Sequence, residues 1–162
     1  MKQIGVRRAR ADDRAFIESL GAQSADTSIS RVRPADRAAV VASFQRLMEF
    51  CRDRTGAATL IAEDAGRRLG FLILLFDVPD EVTRQRQAFV AYMAVAPGVR
   101  RSGAGRALLA AAEEEARRLG LPHLSLMVSN DNAAARKLYH SAGFVDERTL
   151  MTKPLPARDP TA

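Results

Sequence analysis

Apolar and polar positions along this 162-residue chain alternate between two periods. A period of two, or an unbroken apolar run, predicts a strand; recurrence every three to four residues predicts a helix. Ile4 to Ala9 reads as a first strand with Val6 near its centre. Ala11-Asp12-Asp13 predicts a helix start, with acids in the first turn, and Phe16, Ile17 and Leu20 give that helix an apolar face ending at Gly21. After a polar, irregular stretch from Ala22 to Arg33, Pro34 suits the first turn of a second helix running to about Asp53. Val40, Val41, Phe44, Leu47, Met48 and Cys51 recur on it at helical spacing, a stripe read as core packing. Ala58 to Glu63 and Leu69 to Asp77 read as a hairpin about the turn Asp64 to Arg68. Its second strand is almost continuously apolar, as expected when both faces are covered.

A charged loop from Val78 to Gln87 leads to a strand from Ala88 to Val95. Gly105 to Leu119 predicts an amphipathic helix stopped by Gly120 and Pro122. Leu124, Leu126 and Val128 alternate on the next strand, and Asn132 to Ala142 predicts a helix with Gly143 at its C-cap. Phe144 to Asp146 and Thr149 to Lys153 predict a closing hairpin. The expected order is β-α-α-β-β-β-α-β-α-β-β. Periodicity by itself takes this to one α/β or α+β domain.

Composition narrows the class. The length is that of a single domain with a sizeable core, expected over residues 1–155, with a loose tail after it; Pro154 to Ala162 holds three of the seven prolines. No apolar run approaches 18 residues, and the first eight residues lack the apolar segment of a secretion signal, so neither membrane nor export is expected. Cys51, the single cysteine, fits a reducing cytoplasm and is given no catalytic part. The net charge of +6 admits nucleic-acid binding. The basic residues are scattered and interleaved with acids, as in Glu113-Glu114-Glu115 before Arg117-Arg118, with no basic tail, aromatic ribbon or zinc ligand set. A solvated, Arg-rich surface is the preferred reading, no nucleic-acid partner is expected, and no metal is called for.

The chemistry concentrates in Val95 to Leu109, where a strand ends, a glycine-rich loop follows and a helix begins. Unpaired amides in a first helical turn, aided by the helix dipole, form an anion site, and glycines let a diphosphate approach the main chain. Arg100, Arg101 and Arg106 add positive charge. A nucleotide P-loop needs Lys and Ser or Thr after the second glycine, where Arg106 and Ala107 stand, and a dinucleotide fingerprint needs a third glycine, where Leu108 stands.

The remaining spacing, Arg100-x-x-Gly103-x-Gly105, resembles the acetyl-CoA pyrophosphate loop of the GNAT family of N-acetyltransferases, written Q/R-x-x-G-x-G/A. A second segment, Asn132-x-x-Ala135-x-x-Leu138-Tyr139-x-x-x-Gly143-Phe144, resembles the family's later motif at every fixed position. Together they span about Ala58 to Leu155 in pattern. The resemblance implies a GNAT-like acyl-CoA N-acyltransferase fold: a central mixed, twisted sheet flanked by helices. It implies acetyl-CoA as cofactor, an amine acceptor and a homodimer. It assigns cofactor binding to the strand-end backbone of Met93, Ala94 and Val95, to the loop residues Arg100, Arg101, Ser102, Gly103, Ala104, Gly105 and Arg106, and to Asn132 and Tyr139. Asn132 is equally suited to cap its helix.

Acyl transfer from a thioester to an amine needs a held cofactor, a neutral amine, a stabilised oxyanion and a leaving thiolate. By resemblance Tyr139 is the catalytic acid, since a phenol is protonated at neutral pH and can give its proton to the thiolate. The competing role is packing of its helix on the sheet. No base is assigned: some family members carry a Glu where Phe89 stands here, and no acid occurs from Ala88 to Val95. Glu63, Asp77, Asp80, Glu81 and His123 are the nearest candidates by segment, and Tyr92 could face the acceptor or the core. The first two helices, the Val78–Gln87 loop and the closing hairpin set the acceptor, which stays open. The expected activity is acetyl transfer from acetyl-CoA to a primary amine by direct attack in a ternary complex. The alternative is a non-catalytic acyl-CoA-binding or sensor domain of the same fold.

Overall fold

A computed structural model describes residues 4–156. Five strands form one sheet in the order β1 (Gly5–Arg8), β2 (Ala57–Asp64), β3 (Arg67–Leu75), β4 (Ala88–Val95), β5 (Leu124–Leu126). Neighbours are antiparallel except β4 and β5, which are parallel and joined through a crossover helix. The helices are α1 (Arg14–Gln23), α2 (Arg37–Cys51), α3 (Ala104–Arg118) and α4 (Ala133–Ser141). Among the described residues no helix is long and apolar enough to cross a membrane.

The continuous apolar run of β3 is explained by its two coverings. Leu72 and Leu74, with Leu60, Ala62, Ala88 and Val90, pack under Leu108, Leu109, Ala112 and Ala116 of α3. Phe71 and Ile73, with Ile61 and Ala94, pack under Ile17 and Leu20 of α1 and Phe44 of α2. The β2–β3 hairpin reverses through Ala65 and Gly66, both at positive φ, the twist that suits a two-residue turn.

β4 carries an extra residue. Ile73 faces Tyr92 while the next residue of β3, Leu74, faces Val90, leaving Ala91 as a bulge. Before the bulge Ala88 and Val90 lie on the α3 side; after it Met93 and Val95 lie there, while Tyr92 and Ala94 join α1 and α2.

A buried polar hub fixes the other end of the chain's first segment. Asp13, fully buried at the entry to α1, accepts two hydrogen bonds from Arg7 (2.6 and 3.0 Å), one from Arg68 Nε (2.6 Å) and one from the Arg10 backbone N–H (2.7 Å). Arg7 also donates to Glu63 at 2.9 Å, so β1, β3 and the entry to α1 meet at one carboxylate and β2 joins them through Arg7. The Arg7 guanidinium holds the Asp13 carboxyl far below the usual carboxylate range, against the opposing effect of burial.

The structure departs from the sequence expectations at four points. The strand expected to carry Leu124, Leu126 and Val128 ends at Leu126, where its pairing with β4 stops. Gly21 does not end the first helix; α1 runs through it to Gln23, and the glycine serves packing instead, since a Cβ there would lie 2.1 Å from the Phe44 ring. The glycine allows α1 and α2 to approach. The second helix begins at Arg37 rather than Pro34, with Asp36 extended before it. The closing hairpin is absent: residues 144–156 form no strand. Val145, Leu150, Met151 and Leu155 are exposed there, so these apolar side chains find no core face that would hold a strand in register. The end of the expected tail, residues 157–162, lies outside the described residues.

Candidate functional site

The site forms where β4 outruns β5. Their parallel pairing covers only Ala88↔Leu124, Phe89↔Ser125 and Val90↔Leu126, whereas β4 stays paired with β3 as far as Gly70↔Val95. Met93, Ala94 and Val95 therefore lie on a stretch of β4 whose second edge is open. An open edge offers backbone donors and acceptors to whatever enters the wedge. Met93 and Val95 are half-buried on the α3 face, so their side chains hold the strand in place and leave its backbone to the wedge.

The glycine loop closes the top of that wedge. After Val95, a short turn at Pro97–Val99 leads to Arg100 and Arg101, and Gly103 precedes α3 at φ 98°. That left-handed backbone is why a glycine stands there. The first helical bond of α3 runs from Ala107 N–H to the Gly103 carbonyl, so the amides of Gly105 and Arg106 open into the loop. The Ala104 N–H is only 3.4 Å from Ser102 Oγ, a marginal contact. Arg100 and Arg101 are exposed and have no carboxylate partner among the described residues. Arg106 reaches back to Ser141 Oγ at 3.2 Å. Gly105 is small for packing: a Cβ would come within 2.9 Å of Leu138 Cδ2, so the glycine lets α4 sit against the start of α3.

α4 brings in the second pair of expected residues. Asn132 Oδ1 accepts from Ala135 N–H at 3.1 Å and caps the helix, while its Nδ2 donates to the Thr27 carbonyl at 3.2 Å. Its neighbour Asp131 accepts from the Arg31 backbone N–H at 2.9 Å. The α1–α2 loop is thus strapped across to the entry of α4. Tyr139 packs on the same core as Met93 and Val95 and sits edge-on to Phe144, with ring centroids 5.8 Å apart. Its hydroxyl has no hydrogen-bond partner among the described residues. Burial pushes its pKa above the ordinary phenol value, which keeps the proton in place at neutral pH.

The acids read as base candidates are committed elsewhere. Glu63 pairs with Arg7, Asp77 with Arg54, and Asp80 with Arg148, whose guanidinium holds the Asp80 carboxyl well below the usual carboxylate range. Glu81 is exposed beside Arg148, and His123 is exposed, its carbonyl receiving the Ala88 N–H. Tyr92 is a core residue: it stacks on Phe71, with ring centroids 5.8 Å apart, and donates to the Gly21 carbonyl at 3.1 Å. Sequence reasoning missed Ser129, whose buried hydroxyl has no partner, and Asp131, which holds the strap. Neither stands out by type, because both depend on what the fold brings near them.

Residues 28–144 match the profile of the acetyltransferase (GNAT) family. A Bacillus subtilis protein described as an uncharacterized N-acetyltransferase, YhfO, is 30% identical over 136 residues, covering 74% of this chain and 91% of that protein. A Pyrococcus furiosus protein described as an acetyl transferase shares the fold with a TM-score of 0.76 at 23% identity, over 94% of this chain and all of its own. The aminoglycoside N-acetyltransferase AAC(6')-Iy, solved with CoA, shares it with a TM-score of 0.70 at 18% identity, over 95% of this chain and 96% of its own.

Proposed function

The chain belongs to the acetyltransferase (GNAT) family, and from that premise we propose that it transfers the acetyl group of acetyl-CoA to a primary amine by direct attack in a ternary complex. The observation that carries this reading is the joining of two open features. An unpaired strand edge at Met93–Val95 meets a helix start whose amides, with Arg100 and Arg101, face no carboxylate among the described residues. One feature suits an amide-bearing arm and the other a diphosphate. The CoA bound by a fold-sharing aminoglycoside N-acetyltransferase supports the same carrier here.

When bound, acetyl-CoA supplies a thioester carbon open to attack and a sulfur that leaves as a thiolate. The residues divide the remaining work. Met93, Ala94 and Val95 hold the arm through their backbone. Arg100, Arg101 and Arg106, with the loop from Ser102 to Gly105, hold the diphosphate. Asn132 fixes the entry of α4 beside the cofactor. Tyr139 keeps its proton and gives it to the departing sulfur as the new C–N bond forms and the C–S bond breaks. The acceptor enters as the neutral amine and releases its proton to water, consistent with a strand that carries no acid. The setting of this reading is a cytoplasmic homodimer. The missing β4 acid is also what favours the second reading, an acyl-CoA-binding module without turnover.

Calorimetry with acetyl-CoA, wild type beside Arg100→Glu, tests the proposal. Arg100 is exposed with an ordinary φ of −59°, so charge reversal there spares the fold. A side chain at Gly103 would strain the backbone whether or not a ligand binds there. The wild type is expected to bind, and the variant to bind about ten-fold or more weakly. A folded wild type that does not bind acetyl-CoA overturns the reading. Release of free thiol with a panel of amines separates the enzyme from the non-catalytic module.

A further inference from the structure

At the β1 margin of the sheet, away from the wedge, the edge strand is shorter than its neighbour. β1 ends at Arg8, and the last bond on that side runs from the Ala9 N–H to the Thr59 carbonyl at 2.8 Å. The chain then turns away toward α1, so Ala57 and Ala58 of β2 have no strand beside them there. Residues from the start of α1 and the end of α2 complete a cleft of about 370 Å³ over this gap. That volume suits a small molecule. The floor is apolar, with Ile17 buried and Met48 and Cys51 half-buried. Arg8, Arg10, Arg14, Arg52 and Arg54 line the cleft, and no carboxylate among the described residues does. β3 and β4 stand between it and the wedge.

Five guanidinium groups around one cleft repel one another. The acids that pair with them, Glu115 with Arg8, Glu18 with Arg14, Glu49 with Arg52 and Asp77 with Arg54, all lie outside its lining. Arg10 has no carboxylate partner among the described residues. Exposed ion pairs of this kind are weak, and each engaged arginine spends only one or two of its five donors on its acid. The rest remain for a ligand, and the planar fork matches a carboxylate or a phosphate. An apolar floor beneath a cationic wall selects a molecule that carries both characters.

We propose that this cleft is a second binding site, for a small organic anion with an apolar body: the body lies on Ile17, Met48 and Cys51, and the carboxylate or phosphate head lies among the arginines. The site is independent of the acyl-CoA reading.

Cys51 makes the test direct. It is the single cysteine of the chain and it lines the cleft, so its labelling by N-ethylmaleimide reads occupancy. The reaction is run at mildly alkaline pH, because burial raises the pKa of the thiol. Four probes are titrated into the full chain: octanoate and octyl phosphate, which carry both characters; 1-octanol, which lacks the charge; and acetate, which lacks the body. Octanoate or octyl phosphate is expected to slow labelling saturably, by roughly five-fold or more when bound, while octanol and acetate leave it nearly unchanged. Arg10→Gln and Arg52→Gln, both at exposed positions, should each weaken the protecting probe about three- to ten-fold and label like wild type without it. Thermal melts confirm that each variant is folded, and either folded variant suffices. Absence of protection by both anionic probes overturns the inference. Equal protection by octanol reduces the cleft to an apolar crevice and overturns it as well. So does protection that persists unweakened in the folded variants.

Discussion

Two polar regions of this molecule follow opposite rules. At Asp13, one buried carboxylate receives bonds from Arg7, Arg68 and the Arg10 amide, and nothing is left for a ligand to satisfy. At the wedge between β4 and β5, strand edge, helix-start amides and two arginines lack partners among the described residues. The hub holds four segments together and has no chemistry to offer. The wedge packs its side chains on the core and leaves backbone and guanidinium groups unengaged. Saturation thus separates polar residues that stabilise from polar residues that act, more clearly than residue type does.

The largest effect that would sharpen this contrast is expected at the hub. Asp13→Ala should cost about 3 kcal/mol of stability in a denaturant melt, since it leaves two guanidinium groups facing an empty, buried site. Acetyl-CoA affinity of the folded fraction should not change. The same variant tests pH dependence. The folded Asp13 carboxyl is held below its ordinary value, so its stabilisation is complete above about pH 4 and is lost as pH falls toward the folded value. That acid-side loss should be smaller in Asp13→Ala.

At the wedge the outcome should invert. Tyr139→Phe removes a hydroxyl without a protein partner, so the melt should barely move, while turnover falls on the order of 100-fold. The wild-type kcat should show no alkaline fall from this group until above about pH 10, because burial raises the phenol further. Unchanged turnover in Tyr139→Phe would break the contrast. The smallest effect is expected where packing and site meet. Gly105→Ala should cost about 1 kcal/mol, since its methyl meets the movable end of Leu138. A much larger loss, confined to acetyl-CoA binding, would show that the glycine serves the diphosphate as well as the packing.

What could be read in the chain was what is local. The strands around Leu72 and Val90, the amphipathic α3 and the glycine loop are written in consecutive residues, and all stand where periodicity places them. The hub could not be read, because Arg68 meets Asp13 across 55 positions. Gly21 looked like a stop for want of Phe44, which lies on another helix. The expected closing hairpin had the right residue types but found no strand to pair with. The loop between α1 and α2 is obscure for a related reason: it is tied to the entry of α4 by long-range bonds such as Arg31 to Asp131 and Asn132 to Thr27.

The extra residue at Ala91 works as a phase shift in a two-beat rhythm. Drawn as an unbroken strand, the same residues would carry Tyr92 and Ala94 beneath α3 and turn Met93 and Val95 toward α1 and α2. Every later side chain of the strand would trade faces, and the cluster of Phe44, Phe71 and Tyr92 would lose one of its three rings. Two phases of one strand are thus written in consecutive residues, and the bulge is the join between them: where it falls decides which side chains serve the α3 face and which the aromatic one.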